Sequence, residues 1–180
     1  MPVHITYFVH GTTTDNERGV ATGWNPGVLS ERGIRQAKEL GTLVRHKRFD
    51  AVFCSDLQRA VDTVSLAFGE RYPIIPDMRL REVNYGLYTN QRSDSFKGTL
   101  SSFVETPFPQ GESYRDVERR MADFLRFLQQ EYNGKQVAIV AHQAPQLALD
   151  ALVKGKTWQQ AIAEDWRHTK AWQPGWEYTL

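Results

Sequence analysis

Apolar residues along this chain fall into two rhythms. Nearly unbroken runs at residues 3–9, 51–54 and 136–141 read as buried strands, while between them apolar positions recur every three or four residues. Ser30 opens one helical stretch, with Ile34, Ala37, Leu40, Gly41 and Val44 on its inner face. Ser55 or Asp56 caps a second, buried along Ala60, Val64 and Ala67. Ser113 starts a third, carrying Val117, Met121, Phe124, Leu125 and Leu128 and ending near Asn133-Gly134. A fourth follows Pro145, with Ala148, Leu149 and Leu152 inward. Pro73-Ile74-Ile75-Pro76 suits an edge strand, because its prolines cannot donate to a central ladder. Trp176-Glu177-Tyr178-Thr179-Leu180 reads as a final strand. Strands alternating with helices predict an α/β fold, a three-layer αβα domain around a mostly parallel sheet.

Between residues 90 and 111 the rhythm dissolves into Ser, Thr, Gly, Lys and Pro with isolated Phe96, Phe103 and Phe108. We expect a single domain over 1–180, with 90–111 as a short insertion over the site. The 180 residues, 41% hydrophobic, suffice for one core. Twenty-two basic residues against 21 acidic ones leave a net charge of +1, so no global field draws nucleic acid or an anionic membrane, and any anion site has to be local. The single cysteine, Cys54, forms no internal disulfide and reads as a buried, inert thiol in a reducing compartment. No run approaches the roughly 18 apolar residues of a membrane span, and Met1-Pro2-Val3-His4 does not read as a leader; a cytoplasmic location is expected. No spaced Cys/His/Asp cluster suggests a metal, and no cofactor is expected. Trp158, Trp166, Trp172 and Trp176 crowd the tail, where they offer a candidate homodimer surface.

Chemistry concentrates where strands end. His10 follows the first run, Cys54-Ser55-Asp56 the second and His142 the third. Ligands of open parallel sheets bind at the carboxyl ends of strands, so these groups can converge, and two strand-end histidines suggest one site rather than two structural rings. Arg59 is either a planar phosphate donor or a solvated partner of Asp56 or Asp62. Glu82 is either an acid/base carboxylate or the ion partner of Arg81.

The ordered set Phe8-Val9-His10-Gly11-Thr12, Asn16, Gly23-Trp24, Leu29-Ser30, Gly33, Gln36-Ala37, Ser55-Asp56-Leu57-Gln58-Arg59-Ala60, Glu82 and Val140-Ala141-His142 resembles the histidine phosphatase, or phosphoglycerate-mutase-like, family. That resemblance implies a small phosphorylated substrate and a phosphohistidine formed on His10. It makes Arg59 and a protonated His142 the charges at the phosphoryl oxygens, and Glu82 the group that protonates the leaving oxygen and then activates water. Gly11, Thr12, Asn16, Gly23 and Gln143 join Arg59 and His142 as phosphate-binding positions. Glu112 resembles a structural element of the family.

Two positions depart from the family pattern. Val9 stands where its first motif has arginine, and Gln143 follows the second histidine where glycine is usual. Loss of one buried cation facing a dianion costs about 3 kcal/mol of transition-state stabilisation. Three readings follow: another cation, from Arg18, Arg81 or Lys97, compensates; the pocket takes a less charged phosphoryl group; or the chain binds phospho-ligands without turnover. Phosphatase chemistry is expected ahead of phosphoglycerate-mutase-type transfer, because 90–111 is short for a lid that excludes water from phosphohistidine.

Overall fold

The computed structural model describes residues 1–169 and 175–180, the side chains of Lys97 and Thr169 excepted. Five strands, β1 (His4–Val9), β2 (Ala51–Cys54), β3 (Ile74–Pro76), β4 (Gln136–Ala141) and β5 (Trp176–Thr179), form one sheet in the order β3-β2-β4-β1-β5. β1, β2, β3 and β4 run parallel; β5 alone among them is antiparallel, against β1. The proline-bracketed β3 lies at the sheet edge, where a missing N–H costs least.

Seven α-helices, joined by five short 3-10 turns, complete the described fold: α1 (Thr14–Arg18), α2 (Glu31–Leu43), α3 (Gln58–Phe68), α4 (Asp94–Lys97), α5 (Tyr114–Glu131), α6 (Gln143–Lys154) and α7 (Trp158–Ala163). Alternate strand residues face opposite ways, and the core divides accordingly. Phe8, Val52, Cys54, Ala138 and Val140 pack with Leu40 and Val44 of the α2 side and Val64, Ala67 and Phe68 of α3. Ile5, Tyr7, Phe53, Val137 and Ile139 pack with Val117, Met121 and Phe124 of α5, Leu147 of α6 and Trp158 of α7. This is the predicted three-layer α/β architecture.

Several local expectations are corrected. Ile34 and Leu152 are 36% exposed, at the margins of their apolar stripes. Leu57, not Ser55 or Asp56, is the N-cap of α3; the Ser55 hydroxyl accepts from Leu57 N. α6 begins at Gln143, before Pro145, which a helix tolerates in its first turn because that N–H lacks a partner there anyway. α5 stops at Glu131, short of Asn133. Thr13 caps α1 in a reciprocal pair with Asn16. Trp172 lies outside the described residues.

The loop after β1 is clamped onto α2. A Cβ on Gly33 would sit 2.0 Å from Thr12 O, and one on Gly11 would sit 2.4 Å from Gly33 O, so only glycine lets these backbones meet. Thr63 of α3 adds a bond, its hydroxyl accepting from Gly11 N at 3.0 Å.

Candidate active site

Parallel pairing of β1 with β4 aligns Val9 with Ala141, so the residues that follow, His10 and His142, leave the sheet side by side. Their ring centroids lie 5.0 Å apart. They line a cavity of about 290 Å³ at the carboxyl end of the sheet, together with Val9, Thr12, Asn16, Gly23, Arg32, Gln36, Arg59, Glu82, Tyr85, Gln143, Trp166 and Arg167 among others.

His10 Nδ1 stands 2.7 Å from Gly11 O. A carbonyl only accepts, so Nδ1 carries the hydrogen and the Nε2 lone pair points away from the backbone. Nε2 accepts from Arg59 Nε at 3.3 Å. Burial, with the Arg59 charge next, lowers the His10 pKa to about 3, so the imidazole is neutral near pH 7.

Arg59 is 2% exposed and heavily committed. Its Nη1 donates to Asn25 O at 2.7 Å and to Pro26 O at 3.3 Å, and its Nη2 to Gly23 O at 2.8 Å. These carbonyls fix the guanidinium beside His10 and satisfy it within the protein. The alternative pairing with Asp56 or Asp62 is not found: Asp56 pairs with Arg81, and Asp62 accepts from Gln58.

His142 is fully buried, and neither ring nitrogen has a hydrogen-bond partner among the described residues. Its backbone is held by Tyr7, whose hydroxyl donates to His142 O at 2.7 Å and accepts from His142 N at 3.0 Å. Burial, then Arg59 and His10, hold its pKa well below the usual histidine value. Without a ligand these causes favour the neutral ring. Two unpartnered polar atoms in a buried ring are costly unless a ligand meets them.

Glu82 sits at the N-terminus of α6, 8% exposed. Its Oε1 accepts from Val83 N and Ala144 N, both at 2.9 Å, and its Oε2 from Gln143 N at 3.2 Å. The Glu82 side chain caps α6 by accepting from its first free amides, while His142 at the N-cap contributes no side-chain bond. Trp24 Nε1 and Arg120 Nη2 donate to Glu82 O at 2.7 and 3.0 Å, and Arg120 pairs with Glu112. Glu112 thus braces this loop from behind, also accepting from Asn84 N.

The remaining expected positions divide. Thr12, Asn16, Gly23 and Gln143 line the cavity, whereas Gly11 does not and spends its amide on Thr63. Gly23 offers its carbonyl to Arg59, and the Asn16 carbonyl oxygen Oδ1 is engaged at the α1 cap. Neither Cys54 nor Asp56 lines the cavity; burial pushes the Cys54 thiol up to about 12. Of 90–111, only Ser93 among the described side chains reaches it. Phe96 and Phe108 are instead buried against Tyr85, Tyr88 and Phe103. Of the candidate compensating cations, Arg18 pairs with Asp15 and Arg81 with Asp56 and neither lines the cavity, while the Lys97 side chain lies outside the described set. Arg32, Arg167 and Trp166 do line it. No periodicity or spacing marked them, although Arg32 stands beside the helix start at Ser30.

Residues 7–170 match the histidine phosphatase superfamily, branch 1. An adenosylcobalamin/alpha-ribazole phosphatase of Salmonella typhimurium is 33% identical over 145 residues, 74% of this chain and 71% of its own length. A 2,3-bisphosphoglycerate-dependent phosphoglycerate mutase of a Methylobacterium species is 29% identical, over 82% of this chain and 79% of its own. Among solved structures, the alpha-ribazole phosphatase of Shigella flexneri superposes with a TM-score of 0.77 at 26% identity, covering 91% of this chain and 84% of that one. The chain belongs to the histidine phosphatase superfamily.

Proposed function

We propose that this protein is a phosphatase that hydrolyses a small phosphate monoester through a phosphohistidine on His10. The observation that carries this reading is the neutral, single-tautomer His10, its Nε2 lone pair turned to a cavity shared with the two unpartnered nitrogens of His142. Nε2 attacks phosphorus, the bond from phosphorus to the leaving oxygen breaks, and Glu82 as the neutral acid gives that oxygen its proton. Oε2 is the oxygen suited to carry it, with one amide partner against two on Oε1. In the second displacement the Glu82 carboxylate takes a proton from water as the water oxygen attacks phosphorus, and the nitrogen–phosphorus bond breaks to release phosphate. His142 donates one N–H to a phosphoryl oxygen, and the bound dianion draws it toward the charged form. Arg59 Nε turns its hydrogen from Nε2 to the phosphoryl group as that lone pair is used.

Hydrolysis is favoured over transfer between substrates because only Ser93 of the 90–111 segment reaches the cavity among the described side chains, leaving water a path to the intermediate. The phosphatases among its relatives support the same reading. The test is turnover of an aryl phosphate, with acid-labile phosphate trapped on wild-type and His10→Ala protein. Turnover with a label that His10→Ala abolishes is expected; phosphate binding with neither turnover nor label would make the chain a binding relative instead.

A further inference from the structure

We propose that Arg167 supplies the second guanidinium of the phosphoryl pocket, in place of the arginine that Val9 displaces, and that Asp165 with Gln143 positions it. The inference rests on the phosphatase reading above. Val9 lines the cavity as an uncharged, half-buried side chain packed against the core, so the end of β1 contributes no donor beside His10. Arg59 cannot make up the difference, because Asn25, Pro26 and Gly23 carbonyls and His10 already occupy most of its hydrogens.

Arg167 lines the same cavity from a 3-10 turn, Trp166–Thr169, that follows α7. Its Nη1 donates to Asp165 Oδ1 at 2.7 Å, and its backbone N donates to the same oxygen at 3.1 Å. Among the described residues no acceptor takes its Nε or Nη2, which leaves that edge of the fork for an anion. The Arg167 side chain is 25% exposed and that of Asp165 3%, so the pair is held from the buried side and open toward the cavity. Gln143 closes the assembly: its Nε2 donates to Asp165 Oδ2, the carboxylate oxygen that Arg167 leaves. Trp166 packs at a tilt against Trp176, which meets Tyr7 of β1 edge-on, tying the turn to the strand that delivers His10. The Arg167 charge also depresses both His10 and His142, though less than burial and Arg59 do, which places it within electrostatic reach of both rings.

The two departures from the family pattern thus belong to one rearrangement. Val9 gives up a cation at the strand end, and Gln143 anchors the carboxylate that orients another. Arg32 also lines the cavity, but it is exposed and no carboxylate pairs with it among the described residues, so nothing fixes its direction.

The test compares Arg167→Met, Asp165→Asn, Arg32→Met and Val9→Arg/Arg167→Met with wild type, using an aryl phosphate as substrate, vanadate as inhibitor and thermal melting as the check on folding. Arg167→Met is expected to lower kcat/KM by roughly a hundredfold or more, the usual loss for one oxyanion donor, and to weaken vanadate in parallel. Asp165→Asn should lose a smaller factor and, unlike a merely structural change, weaken vanadate without lowering the melting temperature in proportion. Val9→Arg in the Arg167→Met background should recover much of the activity. An Arg167→Met protein within threefold of wild type, while His10→Ala is dead, would overturn this assignment and leave the phosphatase reading intact; so would a loss that falls on Arg32→Met instead. If wild type does not turn over, affinity for inorganic phosphate decides: dependence on Arg167 supports the assignment, and independence, or no binding at all, overturns it.

Discussion

His10 and His142 stand next to one another because Val9 and Ala141 are register partners in neighbouring parallel strands, and their rings meet at 5.0 Å with His10 N donating to Ala141 O. A backbone ladder thus sets the spacing between the proposed nucleophile and the proposed hydrogen-bond donor to the phosphoryl group. Both residues directly follow paired strands, so the register itself positions their backbones.

Replacing His10 by alanine should lower kcat by at least about three orders of magnitude, since the neighbouring ring, His142, is the proposed donor to the phosphoryl oxygens rather than the attacking group. Acid-labile phosphate on the rapidly quenched protein is the readout. Retention of label in His10→Ala would move the nucleophile elsewhere, with His142 the next ring to test.

Stability should decline in acid because of these same two rings. Both are held below the ordinary value of 6.5, His10 at about 3. Between those limits the unfolded chain binds protons that the native state refuses, so stability is full above about pH 6.5 and is lost as pH falls toward 3, by up to about 1.4 kcal/mol per pH unit for each ring. Melting curves across this window should flatten in His10→Asn and again in His142→Asn. Slopes equal to wild type in both variants would mean that the native rings carry charge.

Glu82→Gln separates proton transfer from binding. The loss should be about 10²- to 10⁴-fold for alkyl phosphates, whose leaving oxygen needs a proton, and much smaller for p-nitrophenyl phosphate. Gln keeps one carbonyl for the α6 amides, so part of the cap survives. Equal losses on both substrates would point to disturbed positioning of α6 rather than to acid catalysis.

Gly33→Ala tests the clamp behind the nucleophile. The added methyl meets Thr12 O at 2.0 Å and has to push α2 away from the loop that carries His10. A loss of about 1–3 kcal/mol in denaturant unfolding is expected, typical of overpacking, with kcat reduced as well. Unchanged stability would show that the loop has room to yield.

Much of this architecture was legible in the chain. The unbroken apolar runs located β1, β2 and β4, the prolines around Ile74 and Ile75 placed β3 at an edge, and Ser30 and Ser113 marked their helix starts. These are local effects: the stretch of a strand buried on both faces is mostly apolar, and a hydroxyl reaches an amide three residues on. Stripe margins were less legible. Ile34 and Leu152 satisfy the helical period yet face solvent, because the width of a buried stripe depends on what packs against it.

The sequence by itself determined that histidines would end two strands and that His10, Arg59, Glu82 and His142 were the groups to watch, since the order of residues is all such a pattern needs. Tertiary structure decided what each does with its hydrogens. Arg59 spends them on three carbonyls, Glu82 caps α6 instead of pairing with Arg81, and Gln143 reaches Asp165 to hold Arg167 in the cavity. No local rule predicts those partners: they come from segments far apart in the chain, and a donor's choice among acceptors is settled only when strand pairing brings the acceptors within about 3 Å.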